Sequence, residues 1–233
     1  MTSNPSVDHV KTDHLCGGRL FAGISSVQLE PIAEKMRAFS VPSGRLIMQH
    51  GDKTTDVFFL LSGRAVGQIS AENGRQILFT EMTVGDHFGE LAALDGAERS
   101  ITISATSDCE VATLRQAEFL TAMKSCPQIG INLAIELGAR LRSMNERVFN
   151  LVVHDVETRV GLRLMQLAQI QGQLMDGGII SKSPTHEAIA SFIGSNREAV
   201  SRTIARLNKL GIIQTDRKKI VIEDLGRLLE IAS

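Results

Sequence analysis

Residues 195–209, SNREAVSRTIARLNK, constrain the fold more than any other segment, because their apolar and charged side chains separate onto different faces of a helix. The apolar residues that can pack inward recur at spacings of four and three: Val200, Ile204 and Leu207. On another side, Arg197, Glu198 and Arg202 project along neighbouring turns. In the DNA major groove, arginine can bond guanine and glutamate can accept from cytosine, although a solvated ion-pair helix has the same pattern.

The preceding residues 185–194, THEAIASFIG, predict a second short helix that ends at a glycine. Gly194 can adopt the left-handed conformation at a helix end, and Ser195 or Asn196 can cap the helix that follows. Thr185 is a candidate cap of the first helix, with its hydroxyl or backbone amide facing phosphate. Two short helices joined by a tight glycine-containing turn predict a helix-turn-helix.

A hairpin pattern follows the second helix. Residues 210–213 (LGII) and 220–222 (IVI) flank a polar turn at residues 215–219 (TDRKK), whose basic tip includes Lys218. This pattern is typical of the wing of a winged helix. We therefore predict a winged helix-turn-helix DNA-binding domain over residues 156–233.

The charge balance supports this assignment only modestly. Residues 156–233 carry 11 Lys/Arg against 8 Asp/Glu, whereas the remainder carries 14 against 18 and the whole chain has a net charge of -1. Only the C-terminal part therefore has the sign that suits a polyanion.

Cysteine usage and hydropathy indicate a cytoplasmic protein. Cys16, Cys109 and Cys126 have neither a close pairing nor a metal-ligand spacing, so we expect reduced thiols. No apolar run is long enough to span a membrane, and residues 1–15 are polar without a signal-peptide core. We expect residues 1–15 to be a flexible tail.

The N-terminal part changes from helical to strand periodicity. Residues 28–39 fit a short amphipathic helix through Leu29, Ile32, Met36 and Phe39. Short strand-like segments, separated by glycine turns, then occupy 45–49, 57–61, 65–69, 76–82, 101–105 and 111–114. Many short strands at near-regular spacing predict a β-sandwich or jelly roll, and hence an α+β chain.

A heptad pattern begins after the strands. Residues 128–155 contain apolar side chains separated alternately by three and four positions: Ala134, Leu137, Leu141, Met144, Val148 and Leu151. This seam favours a two-chain coiled coil, with a core helix packed on its own barrel as the alternative. A homodimer also suits one recognition helix per chain, because two-fold proteins bind two half-sites about one DNA turn apart.

Residues 88–105, FGELAALDGAERSITISA, combine groups that can hold a phosphate. Gly89 lets a backbone N–H approach an anion closely. Arg99 adds a guanidinium group and Ser100 a hydroxyl, and both can bind a phosphate. Glu90 can accept from sugar hydroxyls. An ordinary hairpin with an Arg–Glu pair would show the same residues.

The chain as a whole resembles the CRP/FNR family of bacterial transcription regulators. The resemblance rests on Gly89-Glu90-Leu91 followed by Arg99-Ser100, and on the helix motif that runs from Arg197 to Arg202. It implies a cyclic-nucleotide-binding-like β-roll at residues 18–127, a dimerisation helix and hinge at 128–155, and the winged helix-turn-helix at 156–233.

The resemblance also implies roles for individual residues. The Gly89 backbone, Arg99 and Ser100 would hold a cyclic phosphate, and Glu90 the ribose 2′-OH, with cyclic AMP as the first candidate effector. In family members that bind cyclic AMP, a Thr-Ser pair on the long helix faces the adenine. Met144-Asn145 occupies that place here, so cyclic GMP, another effector or none is the alternative.

For DNA, the resemblance implies a palindromic TGTGA-like operator bound by a dimer, with RNA polymerase as a further partner. Arg197, Glu198 and Arg202 would read bases. The other residues of the expected interface are Thr185, Ser195, Ser201 and Lys218.

Two further hypotheses come from the residues themselves. A regulator with a purely structural β-roll, constitutive or tuned by the thiols of Cys109 and Cys126, would need no nucleotide. A cupin-type metalloenzyme would need two histidines and a carboxylate, for which the candidates are His50, His87 and either Glu81 or Glu90. These histidines lack the close His-x-His spacing of many such sites, so we expect no metal and no enzymatic activity.

Overall fold

The structure, a computed structural model, describes residues 10–70, 76–216 and 218–232. The chain divides into two compact units between Leu141 and Arg142. The first unit combines antiparallel sheets with helices, and the second contains the helix-turn-helix. No helix among the described residues has both the length and the apolar character needed to cross a bilayer.

The strands of the first unit are β1 (Arg37–Val41), β2 (Leu46–Met48), β3 (Val57–Ser62), β4 (Ala65–Ser70), β5 (Gln76–Met82), β6 (His87–Phe88), β7 (Thr102–Ala105) and β8 (Cys109–Leu114). They form two four-stranded antiparallel sheets, ordered β1-β8-β3-β6 and β2-β7-β4-β5. The helices of this unit are α1 (Thr12–Cys16), α2 (Ser26–Ala33), α3 (Glu90–Asp95), α4 (Gln116–Ser125) and the first part of α5 (Pro127–Val153). The predicted α+β class with a β-roll is confirmed.

Strand β3 shows how the sheet and helices are held together. Successive side chains of a strand point to opposite faces. Phe59 and Leu61 therefore pack in a core shared with the helices, whereas Leu60 packs in a second core with residues of both sheets. The β-roll consequently buries apolar side chains on both faces of this sheet.

Two sequence predictions about the N-terminal region are wrong. The helix expected over residues 28–39 ends at Ala33, and β1 begins at Arg37, because Phe39 pairs with Val111 of β8. The tail expected over residues 1–15 includes α1, and Leu15 is buried in the core. Residues 1–9 lie outside the described residues.

Helix α5 is buried only near its start. Ile129, Asn132 and Leu133 are buried in the first unit. Several other large apolar side chains of α5 are exposed: Ile131, Ile135, Leu141, Val148, Phe149, Leu151, Val152 and Val153. Three residues of the heptad seam, Leu141, Val148 and Leu151, belong to this exposed set.

The second unit contains α6 (Val156–Ile170), β9 (Gly178–Ser181), α7 (His186–Ile193), α8 (Arg197–Lys209), β10 (Ile213–Asp216), β11 (Lys219–Ile222) and α9 (Leu225–Ile231). Its sheet has the order β10-β11-β9, with antiparallel pairing. The inner face of α8 is buried through Val200, Ile204 and Leu207, which confirms the inward face predicted for this helix. The predicted hairpin is confirmed in β10 and β11, although Arg217 at its tip lies outside the described residues.

Candidate functional sites

Gly89 occupies a position that only glycine fits. It follows β6 and precedes the first residue of α3, with φ at 84° in the left-handed region. A Cβ atom there would lie 2.6 Å from Nη1 of Arg99 and 2.8 Å from the carbonyl oxygen of Asp56. The close packing of backbone and guanidinium therefore depends on the missing side chain.

Arg99 is buried, with 2% of its surface exposed. Its Nε donates to Thr54 Oγ1 at 3.0 Å, Nη1 to the Gly89 carbonyl at 2.9 Å and Nη2 to the Asp56 carbonyl at 2.7 Å. Burial lowers the pKa of Arg99, and nearby carboxylates oppose that shift. A guanidinium remains charged in proteins and has five N–H donors, so these bonds leave capacity for an anion.

Glu90 is buried at the start of α3 and accepts a bond of 2.7 Å from Arg140 Nη1. Arg140 Nη2 also donates to the His87 carbonyl at 3.2 Å. Sequence reasoning missed Arg140. The sequence does place Arg140 one helical turn before Met144, which is a predicted residue of the effector site, and this spacing could have identified it.

His87 is also buried, and its Nδ1 lies 3.5 Å from Glu136 Oε2. Burial, followed by the charge of Arg140, lowers the pKa of His87 to about 3, so the imidazole is neutral near pH 7. Burial also raises the pKa of Glu136. The contact between His87 and Glu136 therefore joins a neutral imidazole to a carboxyl group and is not an ion pair.

The metal-site combination is not formed. His50 is exposed whereas His87 is buried, and the described part of the chain contains no group of three or more His, Cys, Asp or Glu side chains that could hold a metal ion. His50 and His87 therefore do not combine with Glu81 or Glu90 in a metal site there.

The remaining candidate residues of the effector site are more exposed. Leu91 and Ser100 are exposed in the first unit, and they follow the partly buried Gly89 and the buried Arg99 closely in sequence. Met144 is half-buried and Asn145 is exposed on α5, within the second unit.

The thiols occupy three different environments. Cys109 is buried, and its single S–H can donate to the carbonyl of Arg64 or Ser107, which lie 3.2 and 3.3 Å from Sγ. Cys126 is partly buried and Cys16 is exposed.

The helix-turn-helix has the caps that its sequence predicted. Thr185 Oγ1 accepts from the Ala188 amide at 3.1 Å, and Gly194 has φ at 66°. Asn196, one of the two candidates, caps α8 by accepting from the Ala199 amide at 2.8 Å. These caps fix where α7 ends and where α8 begins.

The outer face of α8 presents the expected charged residues. Arg197, Glu198 and Arg202 are exposed, and Glu198 Oε2 lies 3.9 Å from Arg202 Nη1. A long ion pair between exposed side chains contributes little stability, so another partner can replace it. Ser201 is partly buried and its Oγ lies 2.8 Å from His186 Nδ1, which links α8 to the start of α7.

The wing tip lies next to the start of the helix-turn-helix. Lys218 is exposed, and its carbonyl accepts from the Ser183 amide at 3.0 Å. Because Ser183 is two residues before Thr185, the structure brings two predicted phosphate contacts, Thr185 and Lys218, to neighbouring positions. Ser195 follows Gly194 in the turn between the two helices.

Comparison with known families agrees with both parts of the chain. A family model described as a cyclic nucleotide-binding domain matches residues 38–126, and one described as a Crp-like helix-turn-helix domain matches residues 158–231. Over 210 residues the chain is 27% identical to the CRP-like cAMP-activated global transcriptional regulator of Mycobacterium tuberculosis. The match covers 90% of this chain and 94% of that relative.

Solved structures share the fold. A CooA mutant from Carboxydothermus hydrogenoformans superposes with a TM-score of 0.77 at 19% identity, covering 99% of this chain and 98% of its own. The c-di-GMP-responsive global regulator CLP of Xanthomonas campestris gives 0.75 at 17% identity, with 85% and 99% covered. At these identities the likeness concerns the arrangement of the chain.

Proposed function

Because the chain belongs to the CRP/FNR family of transcription regulators, we propose that it binds operator DNA as a homodimer under the control of a cyclic nucleotide. The observation that carries the effector part is the buried guanidinium of Arg99 beside Gly89. Its three described bonds go to a hydroxyl and two carbonyls, and none goes to a carboxylate. Its positive charge is therefore available to the phosphate of an effector.

Within the β-roll, the Gly89 backbone, Arg99 and Ser100 hold the cyclic phosphate in this proposal. Glu90 accepts from the ribose 2′-OH, with Leu91 adjacent on α3. Arg140 orients the Glu90 carboxylate through the 2.7 Å bond. Cyclic AMP is the first candidate, since a relative covering most of the chain is named as cAMP-activated.

Dimerisation is assigned to α5. Its exposed seam leaves large apolar side chains in water, and a second copy of the helix would bury them. Met144 and Asn145 lie on the same helix and face the base of the effector in this proposal. Effector binding then biases the paired helices toward the arrangement that fits two half-sites, which requires a differential affinity of about 1 to 3 kcal/mol.

At a palindromic TGTGA-like operator, Arg197, Glu198 and Arg202 contact base edges in the major groove. Phosphate contacts come from Thr185, Ser195, Ser201 and Lys218 in this assignment. RNA polymerase is the further partner at regulated promoters.

A second candidate keeps the DNA-binding function but changes the effector. It is favoured by Met144 and Asn145, which replace a Thr-Ser pair, because a thioether cannot donate a hydrogen bond to a purine. A structural neighbour is described as c-di-GMP responsive, so the fold accommodates regulators of different specificity.

The deciding experiment measures operator affinity of the purified protein with cyclic AMP, cyclic GMP, c-di-GMP and no ligand, at one fixed salt concentration. The first proposal expects a five- to 150-fold change with cyclic AMP. A change with another nucleotide alone supports the second candidate. Equal affinity in all four conditions contradicts control by any of these nucleotides.

A further inference from the structure

Two carboxyl groups of the first unit lie close to the guanidinium of Arg140. Nη1 donates to Glu90 Oε1 at 2.7 Å, which makes this contact a hydrogen-bonded ion pair. Nη2 lies 3.7 Å from Oε2 of Glu136, one helical turn earlier on α5. The contact with Glu90 is therefore a direct bond, whereas Glu136 attracts the guanidinium over a longer distance.

Glu136 is a poorly satisfied carboxyl group. Only 13% of its side chain is exposed, and within the described part of the chain it accepts no hydrogen bond. Burial raises the pKa of Glu136, and the positive charges of Arg140 and Arg19 oppose that shift. The guanidinium of Arg140 therefore favours the ionised carboxylate of Glu136, and the attraction between them is mutual.

His87 contacts both members of this second pair. Its backbone carbonyl accepts from Arg140 Nη2 at 3.2 Å, and its ring Nδ1 lies 3.5 Å from Glu136 Oε2. The other ring nitrogen, Nε2, is buried and has no hydrogen-bond partner among the described residues. A neutral imidazole carries one N–H, so its proton is better placed on Nδ1, where it faces the carboxyl group.

The side chain of Arg140 depends on such support because 45% of it is exposed. Fixing a long side chain costs rotamer freedom, and water competes for the donors of an exposed guanidinium. Glu136 lies one turn away on the same helix, so it attracts Nη2 without ordering another element. Because the guanidinium is planar and rigid, holding Nη2 also fixes the direction of Nη1, which bonds Glu90.

We propose that Glu136 is a positioning residue of the effector site, which holds the Arg140 guanidinium so that Arg140 keeps Glu90 directed at the ribose 2′-OH. This role rests on the proposed function, because Glu90 is assigned to the ribose there. Glu136 acts through Arg140 and does not touch the nucleotide. The affinity for a cyclic nucleotide that has a 2′-OH therefore depends on Glu136, whereas the affinity for its 2′-deoxy analogue does not.

Isothermal titration calorimetry of the full chain with cyclic AMP and with 2′-deoxy cyclic AMP measures this dependence at fixed pH and ionic strength. If the protein binds only cyclic GMP, that nucleotide and its 2′-deoxy analogue are used. The dissociation constant of the deoxy analogue divided by that of the ribonucleotide reports on the contact with the 2′-OH. Glu136→Gln keeps the size of the side chain but removes its charge, so it should lower this ratio at least about threefold.

Glu110→Gln is the matched control. Glu110 is also a partly buried glutamate of the first unit, but it lies on β8 and forms no ion pair with any residue that the structure describes. We expect its ratio to equal that of the unchanged protein. Glu136→Gln should also retain the free energy of unfolding, because burial already disfavours the charge that it removes. A change of the ratio without a loss of stability separates positioning from a general structural role.

Arg140→Lys tests whether Arg140 transmits the effect. A lysine retains the positive charge, but its single ammonium group cannot contact Glu90 and Glu136 through two separate nitrogens. In that background, Glu136→Gln should leave the ratio unchanged. Glu136 has no positioning role if Glu136→Gln has the same ratio as Glu110→Gln, or if it lowers the ratio equally in the Arg140→Lys background. If the unchanged protein binds neither cyclic nucleotide, the proposed effector function fails together with this role.

Discussion

Glu90 and Arg140 form an ion pair of 2.7 Å in which the carboxylate is buried and the guanidinium is about half-exposed. The pair joins the first residue of α3 to α5, so it connects the proposed effector loop to the helix that carries the proposed dimer seam. A ligand that contacts Glu90 therefore acts on a residue already bonded to α5.

Replacing Arg140 by Met should reduce the free energy of unfolding by about 1–3 kcal/mol, because it leaves the Glu90 carboxylate buried without its partner. The double variant Glu90→Gln/Arg140→Met should recover part of that loss. Urea denaturation of the two single variants and the double variant measures this coupling. Arg142→Met is the control, because Arg142 is an exposed arginine on the same helix. If the stability changes of the two single variants simply add up in the double variant, the ion-pair assignment is contradicted.

Substituting Gly89 by Ala should abolish cyclic-nucleotide binding and destabilise the fold by about 1–2 kcal/mol or more, since the left-handed conformation and the contact with Arg99 both oppose a side chain. Gly96→Ala is a matched control. Gly96 has φ at 72°, but a Cβ atom there meets nothing within 4 Å. Denaturation should show a lower free energy of unfolding for both variants. Calorimetry should show loss of cyclic-nucleotide binding in Gly89→Ala alone. Equal cyclic-nucleotide affinities of the two variants would contradict the assignment of Gly89 to the effector site.

His87 should make the protein less stable in acid. Its pKa is about 3 in the folded state and near 6.5 when unfolded, so the unfolded chain binds more protons between these values. Stability present above pH 6.5 is then lost as the pH falls toward 3, with a limiting slope of about 1.4 kcal/mol per pH unit. Burial raises the pKa of Glu136 in the folded state, so this residue has the opposite effect: above the usual pKa of a glutamate, it makes the stability fall as the pH rises.

The comparison that isolates His87 is the unchanged protein against His87→Gln, since both retain Glu136. The stability difference between them should change with pH below 6.5. Denaturation at pH 7, 6 and 5 measures it, and parallel curves would show that His87 does not titrate differently on folding.

Leu141→Glu should convert the proposed dimer into a monomer, because the charge would enter the apolar seam of α5. Leu141 is 63% exposed in the single chain, so the folded protomer should tolerate the change. Val27→Glu introduces the same charge at an exposed apolar residue of α2 and should leave assembly unaffected. Sedimentation equilibrium distinguishes these outcomes, and a dimeric Leu141→Glu protein would move the interface away from this residue.

Arg197→Ala should cost about 1–3 kcal/mol of operator affinity and relax discrimination at one guanine. Lys218→Ala should instead weaken binding to specific and random DNA alike and reduce the salt slope by about one unit. Binding isotherms over a salt series separate these effects. If Arg197→Ala also weakens both DNAs equally, its role is phosphate contact.

The α8 prediction succeeded because it depends on local patterns. The buried face of Val200, Ile204 and Leu207 follows helix periodicity, and the turn before it follows from Gly194 and a capping asparagine. Local patterns failed at residues 34–39, where apolar spacing fitted a helix. Pairing of β1 with β8, whose partners are 68 to 76 positions apart in the chain, outweighed that preference.

The sequence by itself determined the order of β-roll, long helix and winged helix, because turns, caps and periodicity are encoded by neighbouring residues. It also predicts an anion site at Gly89 and Arg99. Only the tertiary structure decided that Arg99 bonds Thr54 and Asp56 and that Arg140 pairs with Glu90. Those partners are 43 to 50 residues apart for the bonded pairs. Their proximity arises from packing of sheets and helices, which local sequence periodicity does not specify.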